Sequence, residues 1–366
     1  MKPRERVALA LDRRQPDRPP VQVSFTPEFA ERLRRDLRAR GLLAAPAALE
    51  TTAHNPHGGG NTYELERAVG EDMLLTSVGW ANSYYQPGED YTDEWGIEWR
   101  AIPYQTPYGV GHYTEMVQHP LAERKAFERY IPPDPTRPEL YADAAWTLEQ
   151  YQEEYWIVGV TVTTIFETAW ALRGYDRLLM DFVEDPTLAD AILDIPYSYH
   201  LAAALKLVRM GVDMLWLGDD VGMQEGMLIS PRHWRRYLKP RLADTIRAVK
   251  DVNPRLKVAY HSDGDISPII PELIEIGVDV LNPIQPACMS PARLKHLYGD
   301  RLCFWGTIDE QYTLPFGAPA EVRREVRNRI ETVGVDGGLI LGPTHHVQLD
   351  TPMENFWVMM ETINTV

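Results

Sequence analysis

A chain of 366 residues, 44% apolar and 25% charged, has the composition of a globular protein large enough for one barrel-sized domain. Its 37 basic residues face 53 acidic ones, and the net charge of −16 argues against nucleic acid, anionic membrane surfaces and polyanionic substrates. Two cysteines, Cys288 and Cys303, supply neither a disulfide framework nor a Cys-based zinc motif.

The opening Met1-Lys2-Pro3-Arg4-Glu5-Arg6 leads into no secretory apolar core, and no apolar run is long enough to cross a membrane. A cytoplasmic location is therefore expected. Eight short apolar, β-branched or aromatic runs follow, at 21–25, 73–78, 156–162, 214–217, 256–261, 278–281, 302–305 and 338–341. Continuous rather than alternating hydrophobicity marks strands covered on both faces. Helical patterns at 29–40, 168–180, 188–210, 231–252 and 320–333 separate most of them. Strands alternating with helices predict an α/β protein with a parallel sheet, and eight of them predict a (β/α)8 TIM barrel. Met210-Gly211-Val212-Asp213 and Ile276-Gly277-Val278-Asp279 both read as helix, Gly cap and strand. The whole chain, 1–366, is expected to form this one domain. Residues 80–135, rich in aromatics, Pro and Gly, interrupt the pattern after the second strand. Within them 91–100 and 104–118 read as strands of a small meander on the active-site face, with Trp80 among its pocket-facing aromatics. His54 and His57, beside Gly58-Gly59-Gly60, read as a flexible turn rather than a metal loop.

The chain's most pointed motif closes the fifth strand, where the run ending at Tyr260 delivers His261-Ser262-Asp263-Gly264. A His and an Asp two apart on extended backbone face the same side and can reach one metal or one substrate. The structural alternative is a strand-end His bonded to a neighbour, with Asp263 capping the next helix. In a barrel the other strands end on the same face, and they too end in polar groups. These are Thr161, Thr163 and Glu167; Asp219 and Asp220; Asn282 and Gln285; Thr307 and Asp309; Thr344, His345 and His346. Two chemistries fit. A divalent metal, zinc first, takes His261, Asp263 and one of His345 or His346, with Asp219 or Glu167 in support. Alternatively His345 and one of Asp219, Asp220 or Asp263 transfer protons without a metal. Asn282, Gln285, Asp309 and His346, with Trp80, are the candidate substrate contacts, and Asp219, Asp220, Glu167 and His345 the candidate catalytic groups.

Several phrases taken together resemble the uroporphyrinogen decarboxylase superfamily. They include Arg4-Glu5-Arg6-Val7-Ala8-Leu9-Ala10 with Pro16-Asp17-Arg18-Pro19, and Leu217-Gly218-Asp219-Asp220 leading to Leu228-Ile229-Ser230-Pro231. Further matches are His261-Ser262-Asp263-Gly264, Leu281-Asn282-Pro283-Ile284-Gln285-Pro286 and Trp305-Gly306-Thr307-Ile308-Asp309. The last is His345 with Thr351-Pro352-Met353-Glu354-Asn355. The resemblance implies a barrel with its cleft at the strand C-termini, and one of two chemistries. Cofactor-free porphyrinogen decarboxylases carry an Arg-bearing motif after the first strand. Here that stretch is Val21-Gln22-Val23-Ser24-Phe25-Thr26-Pro27-Glu28, with no Arg before Arg32. Corrinoid-dependent methyltransferases hold zinc by His-x-Cys and a later Cys. Here the corresponding positions carry His261, Asp263 and, in the region of the later Cys, His345, a harder ligand set suited to oxygen substrates.

The sequence thus predicts a metal-dependent methyltransferase or demethylase acting on a small, methoxylated or aromatic substrate. The expected partners are that substrate, a separate corrinoid protein, because no cobalamin-binding signature is evident, and a second copy of the chain. A metal-free decarboxylase of a carboxylic acid is the alternative, and a non-catalytic binding barrel the third.

Overall fold

The computed structural model describes residues 1–44, 54–58, 60–78 and 90–365. Seven parallel strands form one sheet: β1 (Met73–Ser77), β5 (Trp156–Val162), β6 (Met214–Gly218), β9 (Lys257–His261), β10 (Val280–Asn282), β11 (Cys303–Trp305) and β12 (Leu339–Ile340), neighbours in that order. The eighth place belongs to 21–25, which pairs through single parallel bridges, Val21 to Leu341 and Phe25 to Val347. Backbone bonds from Gln22 N to Leu341 O (3.0 Å) and from Asp72 N to Val21 O (2.8 Å) join it to both edges and close the (β/α)8 TIM barrel. It falls short of a full strand because Pro19 and Pro20, which lack an N–H, abut its start.

Period-two alternation sorts each strand's side chains. Val158, Val160 and Val162, Met214 and Trp216, Ala259, Val280 and Trp305 point inward and form one buried cluster. The intervening residues, among them Ile157, Leu215, Leu217, Val258 and Leu281, meet the outer helices in a second. The helix Pro3–Leu11 closes the lower end: Val7 and Leu11 enter the inner cluster, and Gly338 N donates to Ala10 O at 3.0 Å. Cys303 is buried there.

The helical pattern read at 168–180 is two helices, Phe166–Arg173 and Tyr175–Glu184, broken at Gly174. The pattern at 231–252 contains a π turn, Trp234–Leu238, before Lys239–Val252. The meander comprises β2 (Tyr91–Thr92), β3 (Glu98–Thr106) and β4 (Gly109–Gln118). The strand expected across 91–100 is interrupted because the Asp93 carboxylate accepts the amides of Trp95 (2.9 Å) and Ile97 (3.0 Å), bending the chain at Gly96. The remaining short strands, β7 (Gly222–Met223) and β8 (Gly226–Met227), form a hairpin beyond β6. Among the described residues no helix is long and apolar enough to cross a membrane.

Candidate active site

The C-terminal ends of β6, β9 and β10 lie side by side, in the register Gly218 to His261 and Asn282 to His261. Gly218 sits at φ 139°, and a Cβ there would stand 2.1 Å from His261 O. Only a glycine lets the two strand ends approach so closely.

His261 is held on two sides. Its Nδ1 lies 2.8 Å from Asn282 Oδ1, while Asn282 Nδ2 donates to Trp305 O at 3.1 Å. Because the amide spends its N–H on that carbonyl, its oxygen faces the ring. Nδ1 of the neutral imidazole must therefore carry the proton, and Nε2 offers its lone pair. Nε2 points at Asp220 Oδ1, 3.5 Å away, and Trp216 braces the ring edge-on with centroids 5.4 Å apart. Asp220 Oδ1 also accepts Asp263 N at 2.7 Å. Ligand atoms of Asp220, His261 and Asp263 all lie within 4.8 Å of one another. Asp263 Oδ1 is buried and has no hydrogen-bond partner among the described residues. An unpartnered carboxylate oxygen in that position is costly and suits a bound cation. Donors sharing a zinc-sized ion sit about 3–3.5 Å apart, so small side-chain adjustments close the set. Asp220 remains 38% exposed, leaving a route from solvent.

Asp219, one residue away, points elsewhere. Its carboxylate accepts Ile165 N (2.9 Å) and Glu167 N (3.0 Å), anchoring the start of helix Phe166–Arg173. Burial pushes its pKa up to about 6 despite those amides. Burial also raises Glu167 well above its usual range, with Asp220 and Asp219 adding to the effect; its Oε2 accepts Asp220 N at 3.0 Å. Asp220 is raised by burial and by Asp263, and Asp263 by burial against the pull of His261. Gln285 Oε1 accepts Gly264 N at 2.5 Å, fixing the turn after Asp263. Asp309 caps its own turn, taking the amides of Gln311 and Thr313 at 3.0 Å each. Trp80 lies outside the described residues.

Beside His261 opens a cleft of about 430 Å³, its mouth included, walled by Trp216, His57, Asn282, His345 and His346 with Gln22 and Ser24. Among the described residues no Lys or Arg lines it. His345 and His346 have ring centroids 4.3 Å apart, and His346 meets His57 edge-on at 5.3 Å. His345 opens to solvent on one side, yet the surrounding protein and then His261 lower its pKa to about 4. Burial lowers His57 to about 3 and His346 well below its ordinary value. His345 is thus a cleft residue beside the cluster, outside the three side chains whose ligand atoms converge. Neither His57, read as part of a flexible turn, nor Trp216 stood out in the sequence. Cys288, whose Sγ lies 3.7 Å from Gln285 Oε1, also stands near Asp263.

Among the described residues the meander contributes none of the cleft's lining side chains. His112 N donates to Glu28 Oε1 at 2.9 Å, and the Arg32 guanidinium stacks 4.0 Å over Tyr108. Arg32 also donates to Leu349 O (2.7 Å) and Thr351 O (3.0 Å), so the first arginine after the 21–25 segment is committed to backbone.

The family model for uroporphyrinogen decarboxylase (URO-D) matches residues 105–366. The chain belongs to the uroporphyrinogen decarboxylase family. A curated relative, the uroporphyrinogen decarboxylase of Chlorobium chlorochromatii (strain CaD3), is 21% identical over 226 residues, 61% of this chain; the match spans 58% of that relative's length. Among solved structures, a methyltransferase from Methanosarcina mazei superposes with a TM-score of 0.67 at 18% identity, covering 100% of this chain and 99% of that one. Its barrel is the fold seen here.

Proposed function

We propose that this family member is a metal-dependent enzyme of the methyl-transfer type, acting on a small oxygen-bearing substrate with a separate corrinoid protein. The observation that carries the reading is the convergence of Asp220, His261 and Asp263 beside the cleft, with the buried Asp263 Oδ1 lacking any partner. A divalent cation held by these side chains supplies a Lewis acid for an ether or hydroxyl oxygen. Asn282 sets the tautomer of His261, and Trp216 braces its ring. Asp220 and Asp263 supply charge, and two carboxylates with one imidazole form a harder set than thiolates, favouring oxygen over sulfur substrates. A cleft without Lys or Arg offers nothing to grip a polycarboxylated macrocycle.

The deciding experiment is elemental analysis of protein purified without chelator, alongside His261→Ala. Stoichiometric zinc or iron in the wild type and its loss in the variant is the expected result. Methyl transfer to added cob(I)alamin, followed by its absorbance change, then tests the reaction. A metal-free carboxy-lyase is the second reading. In its favour Glu167, Asp220 and Asp263 are linked through successive backbone amides beside His345, giving acids and a base in one place. Metal in neither sample, with carbon dioxide released from a carboxylic acid, selects it instead.

A further inference from the structure

The turn at 55–58 carries His57 into the cleft, where its ring stands 6.4 Å from Trp216 and 5.3 Å from His346 between centroids. Two anchors hold this turn. Gly58 presses it onto the end of β1: at φ +87° a Cβ there would stand 1.7 Å from Leu75 O, so only glycine fits. The other anchor is Asn61, whose buried side chain clasps Asn55 from both sides. Its Oδ1 accepts Asn55 N at 2.9 Å, which fixes the orientation of the amide, and its Nδ2 donates to Asn55 O at 2.8 Å. Asn55 Oδ1 accepts His57 N at 2.9 Å. The second N–H of Asn61 Nδ2 goes to Glu66 Oε1 at 3.2 Å. A continuous path of hydrogen bonds thus runs from the Glu66 carboxyl, on helix Glu64–Val69, to the backbone of a cleft-wall residue.

We propose that Glu66 is a positioning residue for this wall of the cleft, holding the His57 turn through Asn61 and Asn55, so that the placement of the ring follows the ionisation of a side chain outside the cleft. The inference rests on the cleft being the substrate site and is independent of the cation. Glu66 is 8% exposed, and burial pushes its pKa up to about 7. Among the described residues His54 faces it from the start of the turn, with Nε2 4.0 Å from Oε1, and burial lowers that imidazole to about 3. Arg34, on helix Pro27–Ala39, pulls Glu66 down and is itself bonded to Glu64 (2.7 Å) and Glu31 (2.9 Å). Glu64, on the same helix as Glu66, pushes it up, and the nearby Glu71 and Tyr63 are both raised by burial. Above pH 7 the ionised carboxylate accepts a charge-assisted bond from Asn61. Below it the neutral carboxyl accepts a weaker one, and the clasp on Asn55 loosens. The hold on His57 is therefore firmest above neutral pH and slackens as the pH falls.

The test follows the ring itself by NMR. Full-length protein carrying isotope-labelled histidine is titrated between about pH 5.5 and 8.5 with EDTA present. The His57 Cε1–H signal is assigned by its loss in His57→Gln. Chelation and a spectroscopic readout keep failure here distinct from failure of the metal assay. Because burial lowers His57 to about 3, its own ring does not titrate in this window, and a step in its signal reports a change around it. Wild type is expected to show a step with its midpoint near pH 7. In Glu66→Gln, which keeps an oxygen for Asn61 and removes the ionisation, the step is lost. Asn61→Ala, which breaks the path, loses it as well. The step persists in His261→Ala and in His345→Ala, which remove the two groups whose charge reaches His57. A wild-type signal without the step overturns the proposal, whether or not any variant folds. So does a step that survives Glu66→Gln or Asn61→Ala, or one that disappears in His261→Ala or His345→Ala.

Discussion

At the scale of single residues, Asp219 and Asp220 show how neighbouring acids acquire different work. Asp219 turns toward the amides of Ile165 and Glu167, while Asp220 turns toward His261. Asp219→Ala should leave those buried donors unmatched and cost on the order of 2–4 kcal/mol in urea denaturation. Asp220→Asn should keep stability and lose stoichiometric metal. Equal metal loss in a folded Asp219 variant would contradict this division. Asn282→Ala removes the group that orients His261, and metal affinity is expected to fall roughly 10–100-fold, read by chelator competition. The His261-x-Asp263 pair was legible because both groups sit on one short stretch whose alternation puts them on one side. The separation of Asp219 from Asp220 was not, because it depends on amides more than fifty positions earlier in the chain. His57 was hidden for the same reason, its ring partners being Trp216 and His346. Trp216 was hidden because a tryptophan in an apolar strand looks like packing, and only the fold brings it against His261 and the cleft.

Among the elements, the strands between β5 and β12 were readable because burial on both faces leaves continuous apolar runs. Helix breaks were not. The stop at Gly174 separates two segments whose apolar periodicity continues across it, so hydrophobic pattern alone joins them. The meander could be placed on the active-site face from chain order alone, yet its docking depends on contacts with helix Pro27–Ala39. Arg32 joins it by stacking on the Tyr108 ring while donating to the Leu349 and Thr351 carbonyls, and Glu28 accepts the His112 amide beside it. Arg32→Ala should cost about 1–3 kcal/mol and speed proteolytic cleavage between β3 and β4. Unchanged cleavage kinetics would show that other contacts hold the meander in place.

For the whole molecule, buried imidazoles set the acid limit of stability. His200, on helix Pro186–Met210, is 2% exposed, stacked at 6.2 Å on Trp95, and lowered by burial to about 3. Between pH 6.5 and about 3 the unfolded chain binds a proton at this position that the folded chain refuses. Stability is therefore full above pH 6.5 and falls as the pH drops, by about 2 kcal/mol at pH 5 from this residue. His54, lowered to about 3 by burial and then by Arg34, adds to the loss. Glu66, raised by burial to about 7, works in the opposite direction, its contribution diminishing as pH rises from 4.5. His200→Phe should flatten the acid arm of the curve, measured by urea denaturation at pH 7, 6 and 5. The barrel has a different consequence during synthesis. On the closing edge Val21 meets its partner only at Leu341, and Ala10 waits for Gly338. Until residues 338–347 leave the ribosome, the nascent protein carries an open sheet edge and an unsealed lower end. Completion of this fold is thus a late event, governed by β12, and disruption of 338–347 should be felt first at residues 10–25, more than three hundred positions away.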